Sequence, residues 1–314
     1  MIKKLTPYIS IARPDHWFKN VFMLPGIFLA YLFSDTTFHL SSLPHIILGI
    51  FATCLIASAN YTINEWLDAP FDREHPVKKF RPAAIGQITA PLAYLQYAIL
   101  AVVGLAISNY INVPFCLTNA FLLFMGLLYN VPPIRTKDVP YLDVVSESVN
   151  NSIRLMLGWY LVIDNMLPPL SIIIAYWMLG AFFMAMKRLG EIRFIQDNKI
   201  VKTYRKSLAY YTQEKLITSI IFYSSLFSFT SAIFLIRYKF ELILVIPLLS
   251  LLIAEYMRIG FLPDSPVQYP EKLYKQKGLV LICFLCLALF TVLLFVKIPW
   301  LTSMFDPLYK QPGL

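Results

Sequence analysis

The stretch Asn60-Tyr61-Thr62-Ile63-Asn64-Glu65-Trp66-Leu67-Asp68-Ala69-Pro70-Phe71-Asp72-Arg73-Glu74-His75-Pro76-Val77-Lys78-Lys79-Phe80-Arg81-Pro82 decides how the chain is read. It closes an apolar run, Ile46 to Ile63, by putting an amide and three carboxylates where that run should meet water. On a helix Asn64, Asp68 and Asp72 step by four and lie along one side, with Glu65 about 100° round. Such a cluster of oxygen ligands suits Mg²⁺, which takes one or two carboxylates plus substrate phosphate oxygens. Arg73, Lys78, Lys79 and Arg81 follow at once and could hold a phosphate's remaining charge. A solvated helix end whose acids pair with its own basic tail is the plainer explanation of a charge run. It does not account for so many acids on one face at membrane depth, where each is costly. Pro70 is expected to end or kink the helix near Ala69 and leave Asp72 on a loop.

Outward from this stretch the chain is mostly apolar. Of its 314 residues 58% are hydrophobic, and the mean hydropathy is +0.63. Those values point to a polytopic, all-α membrane bundle rather than a soluble domain. Nine runs qualify as helices: Val21 to Phe33, Ile46 to Ile63, Tyr94 to Ile111, Phe115 to Leu128, Leu142 to Ile163, Leu170 to Met186, Leu216 to Ile236, Leu242 to Tyr256 and Leu279 to Val296. Some are shorter than the roughly 20 residues that span a bilayer. The chain reads as one domain over 1–314, with a short cytosolic segment 1–20 and a short unstructured tail 300–314.

If the amino terminus faces the cytoplasm, the loops on that side collect nearly all the lysines and arginines, and only Arg237, Lys239, Lys297 and Lys310 fall outside. The positive-inside rule therefore puts the acidic stretch at the cytoplasmic face, in a bacterial-type inner or cell membrane. The net charge of +9 reads as topology plus phosphate binding, not as a nucleic-acid footprint. No cleavable signal peptide is evident. Cys283 and Cys286 form a C-x-x-C inside an apolar run, where packing is the ordinary role.

A second polar cluster lies beyond the fourth run. Pro132 and Pro133 forbid helix, so a loop presents Arg135 and Lys137 just before the fifth helix. Asp143 and Glu147 sit at i and i+4 on its first turns. A helix dipole alone would favour acids there; the sharper reading is a second metal-binding pair facing the first across the mouth of the bundle. Asn150, Asn151 and Arg154 continue the same stripe, which lipid cannot solvate and which must face the interior. Glu255, near the end of the eighth run, is expected to pair with Arg258.

The pattern N-E-x-x-D-x-x-x-D-R-x-H-P-x-K-K-x-R-P resembles the first aspartate-rich motif of the UbiA superfamily of intramembrane prenyltransferases, and D-x-x-x-E at Asp143 and Glu147 resembles the second. Glu65 and Glu147 stand where the family usually has aspartate. Four further features resemble the polyprenyl-phosphate phosphoribosyltransferase subgroup. These are R-P-x-x-W-x-K-N from Arg13 to Asn20, Arg154 followed by Gly158, K-R-x-x-E from Lys187, and R-x-x-x-x-x-Y-T from Arg205 to Thr212.

The resemblance implies that Asn64, Glu65, Asp68, Asp72, Asp143 and Glu147 bind Mg²⁺ and diphosphate, and that Asp68, Asp72, Asp143 and Arg154 carry the catalysis. It further implies that Lys19 and Asn20 face the substrate, and that Arg73, Lys78, Arg81, Arg135, Lys137, Arg154, Lys187 and Arg188 hold its phosphates. His16 is expected to be a boundary residue. The reaction expected is transfer of a 5-phosphoribosyl group from phosphoribosyl diphosphate to a decaprenyl-type polyprenyl phosphate, releasing diphosphate. The alternative is transfer of a prenyl group from a prenyl diphosphate to an aromatic or isoprenoid acceptor. A non-enzymatic membrane carrier is a third reading, which inverted repeats and broken helices would support; neither is convincingly present.

Overall fold

A computed structural model describes residues 2–34, 37–74, 77–194, 206–262, 265–268 and 270–304. Among them there is no β-strand. The helices are α1 (Ile2–Ala12), α2 (Leu24–Phe33), α3 (Leu43–Asp72), α4 (Ala90–Ile111), α5 (Val113–Asn130), α6 (Leu142–Tyr160), α7 (Leu170–Phe194), α8 (Gln213–Tyr238), α9 (Ile246–Gly260), α10 (Lys277–Phe295) and α11 (Pro299–Met304). A 3₁₀ segment, Pro14–Met23, leads into α2.

All nine apolar runs are helical, but seven of the described helices are long and apolar enough to cross a membrane: α3, α4, α5, α7, α8, the stretch Phe240–Gly260 that contains α9, and α10. The other two runs fall short for different reasons. The α-helical part of the first is only 10 residues. The fifth, α6, carries Asp143, Glu147 and Arg154 along its length. Its polar stripe still turns inward, with Asp143 and Arg154 buried.

At 30 residues, α3 is the longest helix among the described residues, about 45 Å at 1.5 Å per residue. It continues well past the apolar run because a helix does not stop where its side chains become polar. Pro70 does not break it, contrary to the expectation from sequence, and Asp72 is its last residue rather than a loop residue. A proline in the final turn removes one backbone donor, and here only two helical residues follow it. The tail differs from expectation too, since Pro299–Met304 is helical; residues 305–314 lie outside those described.

Helix α3 packs against α4, α5, α1 and the 3₁₀ segment, while α6 packs against α2, α5 and α7, and α7 against α8. Two apolar cores form. One gathers Phe115, Leu122, Ile153, Leu157 and Trp159; the other gathers Phe182, Met186, Leu189, Leu216 and Ile259. A smaller cluster of Ile11, Ala69, Ala83, Ile88 and Ala93 lies under α1. Two glycines allow α6 to touch the amino-terminal segment. A Cβ on Gly158 would sit 1.9 Å from the Met23 carbonyl oxygen, and one on Gly26 would sit 2.0 Å from that of Leu155. The backbones meet there because neither residue has a side chain. Gly86 has φ +78° in the loop before α4, a conformation that glycine adopts without strain.

Candidate active site

The end of α3, the end of α5, the loop after it, the start of α6 and the end of α7 converge at one end of the bundle. Asp68 is the hub. Its Oδ1 accepts from Arg135 Nη2 at 2.8 Å and from Lys137 Nζ. Lys137 also donates to Asn130 Oδ1 at 2.8 Å, the atom to which Asn64 Nδ2 donates. Lys137 is only 1% exposed; a lysine so deeply buried is retained only with partners of this kind. The Arg135 guanidinium lies 4.8 Å from the centre of the Phe71 ring, and its Nε is 3.1 Å from Asp138.

A second hub forms around Asp143, which is fully buried. Its carboxylate accepts from Arg188 Nε at 2.8 Å and from the Tyr211 hydroxyl at 2.6 Å. Ser207 Oγ lies 3.2 Å from it and 2.9 Å from the Lys137 carbonyl. Arg188 reaches on to Glu191 at 2.7 Å and to the Tyr129 hydroxyl at 3.3 Å. Burial and the neighbouring Asp143 charge push the Tyr211 phenol well above its ordinary value, so at neutral pH it keeps the proton it donates. The two hubs are linked, since Lys137 Nζ lies 5.9 Å from the Tyr129 ring whose hydroxyl Arg188 holds.

Deeper along α6, Arg154 Nε donates to Asn20 Oδ1 at 3.0 Å and Nη1 to the Asn150 carbonyl at 3.2 Å. Asn20 is buried and donates to Cys54 at 3.1 Å. Asn150 donates to Glu147 at 3.3 Å. One turn beyond Asp68 on α3, Asp72 is buried against Arg81 at 2.7 Å, and Arg73 Nε donates to the Ala84 carbonyl at 3.1 Å. Lys19 Nζ lies 5.5 Å from the Tyr61 ring. His16 bonds Asp15 at 2.8 Å. Burial, then Lys19 and Arg13, lower its pKa to about 4, so it is neutral at physiological pH.

The residues singled out from sequence thus divide. Asn64, Asp68, Arg135, Lys137, Asp143 and Arg188 form one network, and Arg154 and Asn20 form a second below it. Asp72, Arg81 and Arg73 form a separate set at the end of α3, with Glu65 near the charges of Arg81 and Arg13. Lys187 is half-buried beside Arg188 in sequence, and Lys78 is half-buried in a 3₁₀ turn. Arg205 and the rest of the segment 195–205 lie outside the described residues. Sequence reasoning gave no role to Tyr129 and Asn130, whose only signal was their place at the end of α5 before the double proline. Asn60 and Tyr61 were missed for the same lack of charge. Glu255 does pair with Arg258, at 2.7 Å. A groove of about 1100 Å³ lies elsewhere, between α1 and α4. Its lining, including Tyr8, Leu92, Leu95 and Gln96, holds no charged group, so it is not where the chemistry is assembled.

The donor set fits a hard divalent cation in one specific sense. Among the described residues no three carboxylates, histidines or cysteines converge, and Asp72 and Asp143 are engaged by arginines. Asn64, Asp68 and Glu147 are half-buried rather than enclosed. The buried oxygens Asn60 Oδ1, Glu65 Oε1 and Asn150 Oδ1 have no hydrogen-bond partner. Oxygen donors in this number leave a Mg²⁺ shell to be completed by substrate phosphates, the usual arrangement for that ion.

The model of the UbiA prenyltransferase family matches residues 22–275. The chain belongs to this family of membrane transferases, and it is an integral membrane protein. Among curated relatives, it is 29% identical over 215 residues to the decaprenyl-phosphate phosphoribosyltransferase of Mycolicibacterium smegmatis, covering 66% of this chain and 63% of that one. It is also 29% identical over 209 residues to the enzyme of the same name from Corynebacterium glutamicum, covering 65% and 59%. The match thus spans less than two thirds of these relatives' length. The solved UbiA homolog of Archaeoglobus fulgidus bound to GPP and Mg²⁺ superposes with a TM-score of 0.68 at 21% identity, over 92% of this chain and 100% of that one. That likeness shows the fold.

Proposed function

We propose that the chain is a Mg²⁺-dependent transferase that moves a 5-phosphoribosyl group from phosphoribosyl diphosphate to a polyprenyl phosphate of decaprenyl type, with release of diphosphate. The observation that carries this reading is the length of the cationic lining. Arg135, Lys137 and Arg188 gather at the rim, and Arg154 lies buried about three turns further down α6. A prenyl diphosphate offers one diphosphate to such a lining. The phosphoribosyl donor adds a second phosphate, and the lipid acceptor a third. The likeness to two decaprenyl-phosphate phosphoribosyltransferases supports the same choice.

In this reading Arg135, Lys137 and Lys78 bind the diphosphate of the donor, and Asp68 fixes the first two. Arg188 adds positive charge where the leaving oxygens collect it, while Asp143 and Glu191 hold its guanidinium in place. Arg154, aimed by Asn20, binds a phosphate deeper in the chamber. A bound Mg²⁺, held by Asn64, Asp68 and Glu147 with phosphate oxygens, would supply further stabilisation of charge on the leaving diphosphate. The acceptor phosphate is ionised at neutral pH and needs no general base. The basic loops support a cytoplasmic rim and amino terminus, where a soluble phosphoribosyl donor would be available.

Membranes containing the chain, incubated with labelled phosphoribosyl diphosphate and a polyprenyl phosphate, are expected to yield labelled lipid. EDTA is expected to abolish the product and excess Mg²⁺ to restore it. No labelled lipid, but prenyl transfer from a prenyl diphosphate, would replace this reading with a second one, that of a prenyltransferase. The Mg²⁺ and GPP bound to the Archaeoglobus homolog favour that second reading. Turnover in detergent, without any gradient, would exclude a carrier.

A further inference from the structure

Arg13 stands in the left-handed region of backbone space, with φ 52° and ψ 57°. A long side chain keeps that conformation only where its surroundings hold it, and such residues cluster at ligand clamps. Here the backbone is held by hydrogen bonds to Ser10 and His16, and the side chain lies against an aromatic ring among the charges of Arg81, Glu65 and Asp15. The Arg13 guanidinium lies 5.8 Å from the centre of the Tyr61 ring and Lys19 Nζ lies 5.5 Å from it, with the His16 ring edge-on at 5.4 Å. Each cation is attracted by the ring face, but two cations gathered on one ring repel each other.

The comparison with Arg135 is informative. It too is left-handed, with φ 35°, and it too lies against an α3 aromatic, Phe71. Arg135 is neutralised by Asp68 and Asp138. Among the described residues Arg13 makes no ion pair, and the nearby Asp15 is bonded to His16. One stacked arginine is ion-paired within the protein; the other, among the described residues, closes no ion pair, although Glu65 and Asp15 lie near enough to act on its charge.

We propose that Arg13 and Lys19, aimed by Tyr61, form the subsite for the phosphomonoester head of the lipid acceptor. This rests on the function proposed above and assigns one of its phosphates. The surroundings favour a lipid over a soluble phosphate. From Lys19 a row of exposed apolar side chains, Val21, Leu24, Phe28 and Leu32, runs along the 3₁₀ segment and α2 at spacings of three and four residues. A prenyl chain whose head is held by Arg13 and Lys19 can lie along that row. The donor's diphosphate would meet its cations about two turns further along the same face of α3, at Arg135 and Lys137.

Titration of the purified full chain in detergent with farnesyl phosphate tests the subsite, with farnesol and ribose 5-phosphate as controls. Arg13→Gln is expected to weaken farnesyl phosphate binding about tenfold or more, the loss of one charged contact, and to leave both controls unchanged. Tyr61→Leu is expected to give a similar loss. Tyr61→Phe, which keeps the ring, is expected to bind as the native chain does, and a thermal midpoint without ligand checks that each variant is folded. Native chain that binds farnesyl phosphate no better than farnesol would overturn both the function and the subsite. Native binding that survives Arg13→Gln, or a loss that falls on ribose 5-phosphate instead, would overturn the subsite alone.

Discussion

Arg188→Ala is expected to abolish measurable transfer and to lower folding stability by about 3–5 kcal/mol, the cost of leaving buried charges without their partner. The side chain is 2% exposed, Asp143 is fully buried and Glu191 is nearly so. Arg188 bonds both carboxylates and the Tyr129 hydroxyl. Without it, two acids face each other in a space that admits little water. Arg188→Lys is expected to recover part of the stability and little of the activity, because an ammonium is a point charge and cannot span three acceptors in a plane. Thermal unfolding of the purified protein, read beside the initial rate of lipid labelling, separates the two effects. An unchanged midpoint in Arg188→Ala would show that the ion pair contributes nothing to the fold.

The second large effect is expected at a residue with no side chain. In Gly158→Val the new Cβ would lie within 2 Å of the Met23 carbonyl, so α6 and the amino-terminal segment must separate. Forcing atoms into packed backbone costs about 1–3 kcal/mol. The larger consequence is geometric. Asn20 comes from that segment and Arg154 from α6, and their 3.0 Å hydrogen bond spans the contact that Gly158 permits. A displacement of about 1 Å at a group that positions substrate can cost on the order of a hundredfold in rate. Gly158→Val is therefore expected to lose transfer far beyond its loss of stability, and Gly158→Ala to lie between it and the native chain. Equal, small losses in both variants would mean that Arg154 is not where the reaction needs it.

Much of this arrangement was legible in the sequence because apolar runs and their charged ends are local signals. The four-residue spacing of Asn64, Asp68 and Asp72, and the stripe from Asp143 to Arg154, gave two helix faces that the bundle does turn inward. What the sequence could not convey is which charges meet across helices. Lys137 reads as one basic loop residue among many, yet it is buried against Asp68, nearly seventy positions earlier. Asp72 shares its spacing with Asp68 but is held by a different cation, Arg81. Pro70 misled because a helix-breaking residue was judged without knowing how few residues of helix remained to break. The amino-terminal helix escaped notice because it is short and does not follow an apolar run; its placement depends on α3.

The distance along α6 between Asp143 and Arg154 is about 16 Å at the helical rise per residue. A single pyrophosphoryl group is too short to touch both ends of that interval. In the proposed reaction, anchoring points set this far apart would hold donor and acceptor together, so that the sugar would pass directly between them without first being parked on a nucleophilic side chain. Order of entry would then be a question of geometry, the substrate anchored at Arg154 arriving before the one anchored nearer Asp143.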